Sequence, residues 1–323
     1  MTTKSYMKAA RIHQYGGPEV IRYEDAPIPE VGDDEVLIKV SATSFNPFDA
    51  KLRSGAFKAF LPIELPFTLG VNVSGIIEKK GESVNTFRVG DKVYGFIDVT
   101  KNGAAAEYVV SKAVDIAHAP KNFDLHEAGV VPNVALTAWQ ALFDYGKLQP
   151  GQRVLITAAS GGVGTLAVQL AKWKGAYVIG TASKKKFSTL EQLGIDEIID
   201  YNSQPIVESL NGKVDVIFNL SPVGQSELNK LLYTLNEGGI FISTTTPVDE
   251  NLAKELGVKA VRINSQRNSA QLAEIAALLD AGLLKPDITE RIGLSELAEV
   301  HRKFENGEIS GRVLITVEGE EFK

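Results

Sequence analysis

Short alternating or β-branched segments mark the first 125 residues: MKAARI (7–12), EVLIKVSATSF (35–45), SGIIEKK (74–80), DKVYGF (91–96) and AAEYVV (105–110). Gly, Pro, Asn and Asp separate them, as strand ends require, so this part reads as β-rich. Over residues 150–265 the pattern changes. RVLITAA, AYVIGTA, EIIDY, VDVIFNL, GGIFIST and KAVRI are nearly continuous apolar runs, which suit strands covered on both faces. Helical patterns lie between them. In VGTLAVQLAKWKG, Val163, Leu166, Ala167 and Leu170 form one apolar face, with Thr165, Gln169 and Lys172 opposite. This alternation predicts a doubly wound parallel sheet. In the tail, Leu272, Ile275, Ala276 and Leu279 mark one amphipathic helix, Leu297, Val300 and Phe304 another, and SGRVLITVE (310–318) a final strand. The expected organisation is an α/β domain inserted into a β-rich domain that the tail rejoins.

Composition narrows the class. With 44% hydrophobic and 23% charged residues, the 323-residue sequence suits a soluble globular protein with a full core. Thirty-four basic against forty acidic residues leave a formal charge of -6. That balance argues against a general binder of nucleic acid or of anionic membranes. No stretch approaches the ~18 apolar residues that span a bilayer. The opening MTTKSYMKAARIHQYGG has neither the apolar segment nor the cleavage site of an export signal, so a cytoplasmic protein is expected. Cysteine is absent, which removes disulfides, thiolate zinc sites, iron–sulfur clusters and cysteine nucleophiles.

The most informative stretch is RVLITAASGGVGTLAVQLAKWKGAYVIGTASKKK, where a strand runs into a small-residue turn and a helix begins. Ala158 takes the first small position of an A-x-x-G-x-x-G pattern, ahead of Ser160, Gly161, Gly162, Val163 and Gly164. Small residues let backbone amides approach a pyrophosphate at the positive helix end, and Gly164 lets helix and strand pack closely. An NAD site places Asp or Glu at the end of the second strand, ~20 residues on. Here that strand ends in Ser183, followed by Lys184, Lys185 and Lys186. No acid repels a 2′-phosphate, and cations stand where a helix start disfavours them unless an anion is bound. NADPH is therefore expected, with Ser183 and Lys184 as the 2′-phosphate residues; which lysines face inward is not readable from sequence.

Together with SFNPFDAKLRSG (44–55), LGVNVSGIIEKKGESVNTFRVGDKVYGF (69–96), ALTAWQAL (135–142) and the final GRVLI, these motifs resemble the medium-chain dehydrogenase/reductase superfamily, in its zinc-free quinone oxidoreductase branch. The resemblance spans essentially the whole chain. It implies a GroES-like catalytic domain from residues 1–127 and 266–323 around a Rossmann domain at 128–265, and a homodimer or higher homo-oligomer. By the same resemblance Asn46 and Thr137 contact the nicotinamide half, and residues 160–164 the pyrophosphate. Ser183, Lys184 and Tyr201 surround the adenosine phosphate. Ser243, Thr244 and Thr245 line the nicotinamide side, and Arg312 reaches the cofactor from the tail. Two departures stand out: Asn72 replaces the Asp of a G-x-D-x-x-G stretch, and Asn219 to Gly224 replace a D-S-V-G-like strand end.

The four histidines, His13, His118, His126 and His301, show no metal-ligand spacing, and His301 falls on an apolar helix side as a hydrogen-bonded core residue. No metal is expected. Without a Lewis acid, the accessible chemistry is hydride donation to a quinone or an α,β-unsaturated carbonyl, whose conjugation spreads the incoming charge onto oxygen. Lys51 is the candidate for stabilising that oxygen, and Asp49 for positioning Lys51 or a ribose hydroxyl. The alternatives are a cofactor-binding or surface lysine and a structural turn acid. Phe57, Phe60 and Leu61 are readable as an acceptor pocket or as core. Enoyl-thioester reduction and a non-catalytic NADPH-binding sensor or crystallin-like role are the alternative functions.

Overall fold

The computed structural model describes residues 5–317, so Met1 to Lys4 of the opening segment and Glu318 of the expected last strand lie outside it. Strands β1 (Tyr6–Ile12), β2 (Ile21–Pro27), β3 (Glu35–Ser44), β4 (Phe67–Thr68) and β5 (Asn72–Lys80) come first. They are followed by β6 (Lys92–Phe96), β7 (Tyr108–Lys112) and β8 (Ile116–His118). Next come β9 (Arg153–Ile156), β10 (Tyr177–Ala182), β11 (Glu197–Asp200), β12 (Val214–Asn219), β13 (Leu235–Ser243) and β14 (Lys259–Arg262). The tail adds β15 (Ile288–Gly293) and β16 (Arg312–Thr316). The chain divides into two compact units: Met1–Asn133 with Arg267–Gly282 and Pro286–Lys323, and Val134–Gln266 with Leu283–Lys285.

The first unit holds a three-stranded sheet, β2-β1-β4, and a larger one in the order β15-β16-β3-β5-β6-β8, with β7 also pairing β3. Alternation in β3 drives Val36, Ile38 and Val40 into a core with Val73, Ile77, Val93, Val109 and Ile116. β16 pairs antiparallel with β3, Leu314 opposite Ser44, so the tail does rejoin the β-rich part. The AAEYVV segment departs from the sequence reading, because its strand begins only at Tyr108. Ala105 is instead stitched between Leu69 and Ala10 by two backbone hydrogen bonds of 2.8 Å, which a regular strand register does not permit.

The helix Leu297–Glu305 buries Leu297, Val300 and His301. His301 is a core residue as expected, but the hydrogen bond expected of it is not there: neither ring nitrogen has a partner among the described residues. Its ring instead meets Phe45 edge-on at 4.9 Å. Burial, and then the nearby Arg53 charge, lower its pKa from 6.5 to about 3. Between those values the unfolded chain takes up a proton that the folded one refuses, so acid favours unfolding. His301→Leu removes this penalty. From pH 6 to pH 5 the wild type should lose about 1 kcal/mol relative to the variant, as read by urea unfolding at the two pH values. An equal change in both proteins would show that His301 is not held neutral.

The second unit is one parallel sheet in the order β11-β10-β9-β12-β13-β14. Leu155, Ile179, Ile217 and Phe241 form the centre of one face. The order reverses at β9, which has β10 on one side and β12 on the other. Crevices for ligands open at the carboxyl ends of strands at such a switch point. The helix Gly162–Trp173 confirms the expected apolar face but not the polar one, because Thr165 is fully buried. Gln169 is also covered: its amide exchanges two 2.9 Å hydrogen bonds with the backbone of Lys285. The returning segment Leu283–Lys285 therefore closes a face that the sequence period assigned to solvent.

Candidate cofactor and active site

The turn after β9 carries the first half of the site. Ala158 sits at φ 49, a left-handed conformation that costs a non-glycine residue about 1–2 kcal/mol. It is held there by its N–H to Thr181 Oγ1 (3.0 Å) and by its carbonyl, which accepts from Gly161 N (3.0 Å). The chain then enters a twelve-residue helix at Gly162, with Gly161 as N-cap and no side-chain cap on the first amides. Those amides are the donors a pyrophosphate needs. A Cβ on Gly164 would lie 2.5 Å from Ala158 O and 2.6 Å from Ala159 O, so only glycine lets the helix descend this close to the turn. The residues present thus fit a dinucleotide.

At the end of β10, Ser183 is half-buried and Lys184 and Lys185 are exposed. The three lysines form their own 3₁₀ turn, Lys184–Lys186, ahead of the helix Phe187–Gln192, rather than its first turn as the sequence suggested. A 3₁₀ turn at a helix entrance still points its free amides the same way. Ala182 and Asp200 are register partners, so Ser183 and Tyr201 follow at adjacent strand ends. Tyr201 is 53% exposed. Ser183, Lys184 and Tyr201 are therefore brought to one edge.

The ends of β9, β12 and β13 carry a polar cluster that sequence reading singled out only in part. Thr157 and Asn219 are buried there with Ser243, while Thr244 and Thr245 are half-buried. The Ser243 hydroxyl donates to Thr246 O (2.8 Å), and Thr245 Oγ1 donates to Ser221 O (2.8 Å). Thr157 and the role of Asn219 were missed; the available signal was a polar residue ending an otherwise apolar strand. Thr137 is buried in the helix Pro132–Trp139, which continues as a π-helical turn, Gln140–Tyr145.

In the first unit, Asn46 begins the helix Pro47–Ser54 with a capping box: its side chain accepts from Phe48 N, and Asp49 Oδ2 accepts from Asn46 N. Asp49 Oδ1 accepts from Gly70 N at 3.1 Å. Burial pushes the Asp49 pKa up to about 7, against these amides and the charge of Arg312. Burial likewise lowers Arg312 to about 10. Arg312 Nη2 and Asn72 Nδ2 both donate to Ser44 Oγ, at 2.6 and 3.0 Å. Asn72 Oδ1 accepts from Asn133 N, and Asn133 Oδ1 accepts from Asn46 Nδ2, both at 2.8 Å. Asn46, Asp49 and Arg312 thus belong to one buried polar neighbourhood. Lys51 stands apart: it is exposed, with Nζ 5.9 Å from the centre of the Phe57 ring. Phe57 in turn touches Phe48 and Phe60, at 5.2 and 5.1 Å between ring centres. Phe60 is 72% exposed, and Leu61 packs on the core.

Among the described residues no group of three or more His, Asp or Glu side chains is gathered as metal ligands would be. No helix among them is long and apolar enough to cross a membrane.

Comparison with known proteins agrees with this architecture. Residues 32–121 match the alcohol dehydrogenase GroES-like domain family, and residues 193–315 the zinc-binding dehydrogenase family. The mitochondrial NAD(P)H oxidoreductase RTN4IP1 of Mus musculus is 33% identical, over 96% of this chain and 89% of its own. The 2-methylene-furan-3-one reductase of Solanum lycopersicum is 33% identical, over 96% of this chain and 79% of its own. The solved quinone oxidoreductase of Coxiella burnetii superposes with a TM-score of 0.87 at 32% identity, covering 97% of this chain and 99% of its own. The chain belongs to the medium-chain dehydrogenase/reductase superfamily, with a GroES-like and a Rossmann-like part. It is an oxidoreductase that works with a nicotinamide cofactor.

Proposed function

We propose that the protein is a zinc-independent, NADPH-dependent reductase of quinones or α,β-unsaturated carbonyls, acting as a cytoplasmic homo-oligomer. The observation that carries the cofactor choice is the end of β10, where Ser183 and the Lys184–Lys186 turn stand in the place of an acid. The quinone and furanone acceptors of its relatives support the substrate class, and both are conjugated carbonyls. The absence of cysteine and of any gathered His/Asp/Glu set among the described residues supports zinc independence.

In this reading residues 1–127 and 266–323 form the catalytic domain and residues 128–265 the cofactor domain. Ser160 to Gly164 hold the pyrophosphate, and Ser183, Lys184 and Tyr201 the phosphorylated ribose. Thr137, Asn46, Thr244 and Thr245 serve the nicotinamide half. Ser243, fully buried, supports that edge from beneath. Asp49 and Arg312 act as positioning residues, since both are buried and hydrogen-bonded within the first unit. The bound cofactor supplies the hydride. Lys51 stabilises the oxygen on which charge develops, beside an aromatic surface of Phe48, Phe57 and Phe60 suited to a flat acceptor.

The test is acceptor-dependent oxidation of NADPH, with NADH in parallel and a chelator present, across a naphthoquinone, an ortho-quinone, an enone, a 2-alkenal and an enoyl thioester. Turnover with the first four carries the proposal, and preference for the thioester replaces it. Lys51→Ala should lower kcat about 100-fold and leave NADPH affinity within about threefold, as the loss of one charge-stabilising donor does. An unchanged kcat would remove Lys51 from the chemistry.

A further inference from the structure

The central strands of the second unit are apolar and buried as they approach their carboxyl ends, through Val154, Leu155 and Ile156 in β9 and Val216, Ile217 and Phe218 in β12. At the carboxyl ends the chemistry changes abruptly. Asn219, fully buried, closes β12, and Thr157 follows β9. These two strands flank the switch point. An unpaired amide here would be costly, and an aliphatic side chain would fill the same space. The amide is fully used instead. Asn219 Oδ1 accepts from Thr157 Oγ1 (2.7 Å) and Ser221 N (3.3 Å). Asn219 Nδ2 spends its two protons on Thr245 Oγ1 (3.0 Å) and Ser243 Oγ (3.1 Å), with Ser221 O beside it at 3.2 Å.

Each hydroxyl has one proton, and carbonyl partners dictate where it goes. Thr245 gives its proton to Ser221 O, and Ser243 gives its proton to Thr246 O. Both oxygens must therefore receive from Asn219 Nδ2, which fixes the amide orientation as well. Thr157 Oγ1, having donated to Asn219, accepts from Leu220 N (2.9 Å) and Ser221 N (3.2 Å). The result is a circuit with one direction. It clamps the backbone of Ser221 on both its N–H and its C=O, and ties the loop after β13 to the loop after β12.

We propose that Asn219 is a positioning residue: by donating to Ser243 and Thr245 it sets the direction of this circuit and holds the loops at Ser221 and Thr244–Thr246 in the shape that receives the nicotinamide cofactor. The inference rests on the reading that the cofactor occupies this switch-point crevice. An aspartate of the same shape at this position accepts but does not donate. Ser243 and Thr245 would turn their protons towards it, and the carbonyls of Thr246 and Ser221 would lose their donors.

The experiment compares Asn219→Asp, Thr245→Val and the double variant, measuring KM for NADPH, KM for the acceptor, kcat and thermal unfolding. Each single variant should raise the NADPH KM about tenfold, the scale of one broken buried hydrogen-bond link, and leave the acceptor KM within about twofold. The double variant should be no worse than the poorer single one, because both break the same circuit. A residue that merely held the fold would lower the melting temperature and the active fraction, and so kcat, with both KM values unchanged; that result overturns the proposal. Additive effects overturn it too. Should Asn219→Asp fail to fold, Thr245→Val carries the test alone, and an unchanged NADPH KM in it overturns the proposal. Binding of NADPH by the wild type, measured by its fluorescence, separates the two levels. Binding with unchanged variants removes only this inference, whereas no binding of NADPH or NADH removes the cofactor reading and the inference with it.

Discussion

Lys184→Glu should weaken NADPH about 100-fold and change NADH less than about threefold, since under the proposed assignment it removes a charge-assisted hydrogen bond to the 2′-phosphate and adds a like charge. Lys184 is exposed at the open end of β10, in a 3₁₀ turn with no acid among its three residues. No core contact is lost by the change, so thermal stability should stay within about half a kcal/mol, as for other surface substitutions. The acid should also bring the site closer to the NAD pattern, with a carboxylate near the ribose 2′-hydroxyl. Fluorescence titration of both cofactors against wild type and variant reads the result. Equal weakening of NADPH and NADH would withdraw Lys184 from the 2′-phosphate site, and Lys185→Glu and Lys186→Glu would then be measured in the same way.

Gly164→Val should abolish measurable binding of both cofactors and destabilise the protein by about 3 kcal/mol, the upper range for forced overpacking. The first added carbon would already stand 2.5 Å from Ala158 O and 2.6 Å from Ala159 O. Both are backbone atoms, and Ala158 is pinned in its left-handed conformation by Thr181. The turn must therefore open or the helix must lift, and either movement carries away the amides at Gly161 to Gly164. Gly161→Ala is the contrast: its Cβ would meet only Ala158 O, at 3.3 Å, and its φ of -79 suits any residue. That variant should lose less than about 1 kcal/mol. Thermal unfolding and NADPH titration of the pair distinguish the cases. A stable, NADPH-binding Gly164→Val would show that close helix–turn approach is not what the position requires.

Much of this architecture was legible because local physics writes it into short segments. The apolar runs at RVLI, YVIGTA, VDVIFN and GGIFIS became β9, β10, β12 and most of β13, since strands covered on both faces have no polar alternation to obscure them. The small-residue turn after β9 was legible for the same reason: strand, small residues and helix are contiguous in sequence. Strand β15 and the late start of β7 were not, because their pairing depends on β16 and β3, which lie far away in the chain. The burial of Thr165 and the partial covering of Gln169 were equally hidden, since the segment that bonds Gln169 arrives 116 residues later.

The candidate site divides along the same line. Asn46 and Asp49 were singled out by the sequence as site residues, and the structure joins them in a capping box around Pro47. That Asp49 also accepts from Gly70, and shares a buried neighbourhood with Asn72, Asn133 and Arg312, required the folded chain. His301 was placed correctly in the core by its helical period, but its lack of any hydrogen-bond partner among the described residues depends on which groups pack around it. By itself, then, the sequence determined the family, the strand, small-residue turn and helix that follow β9, and the absence of cysteine chemistry, all properties of residue type and close spacing. The tertiary structure alone decided the direction of the Asn219 circuit, the burial of Asp49 and Arg312, and the exposure of Lys51. Hydrogen-bond direction and desolvation depend on which groups distant parts of the chain bring within 3 Å or so of one another, and no local pattern encodes that.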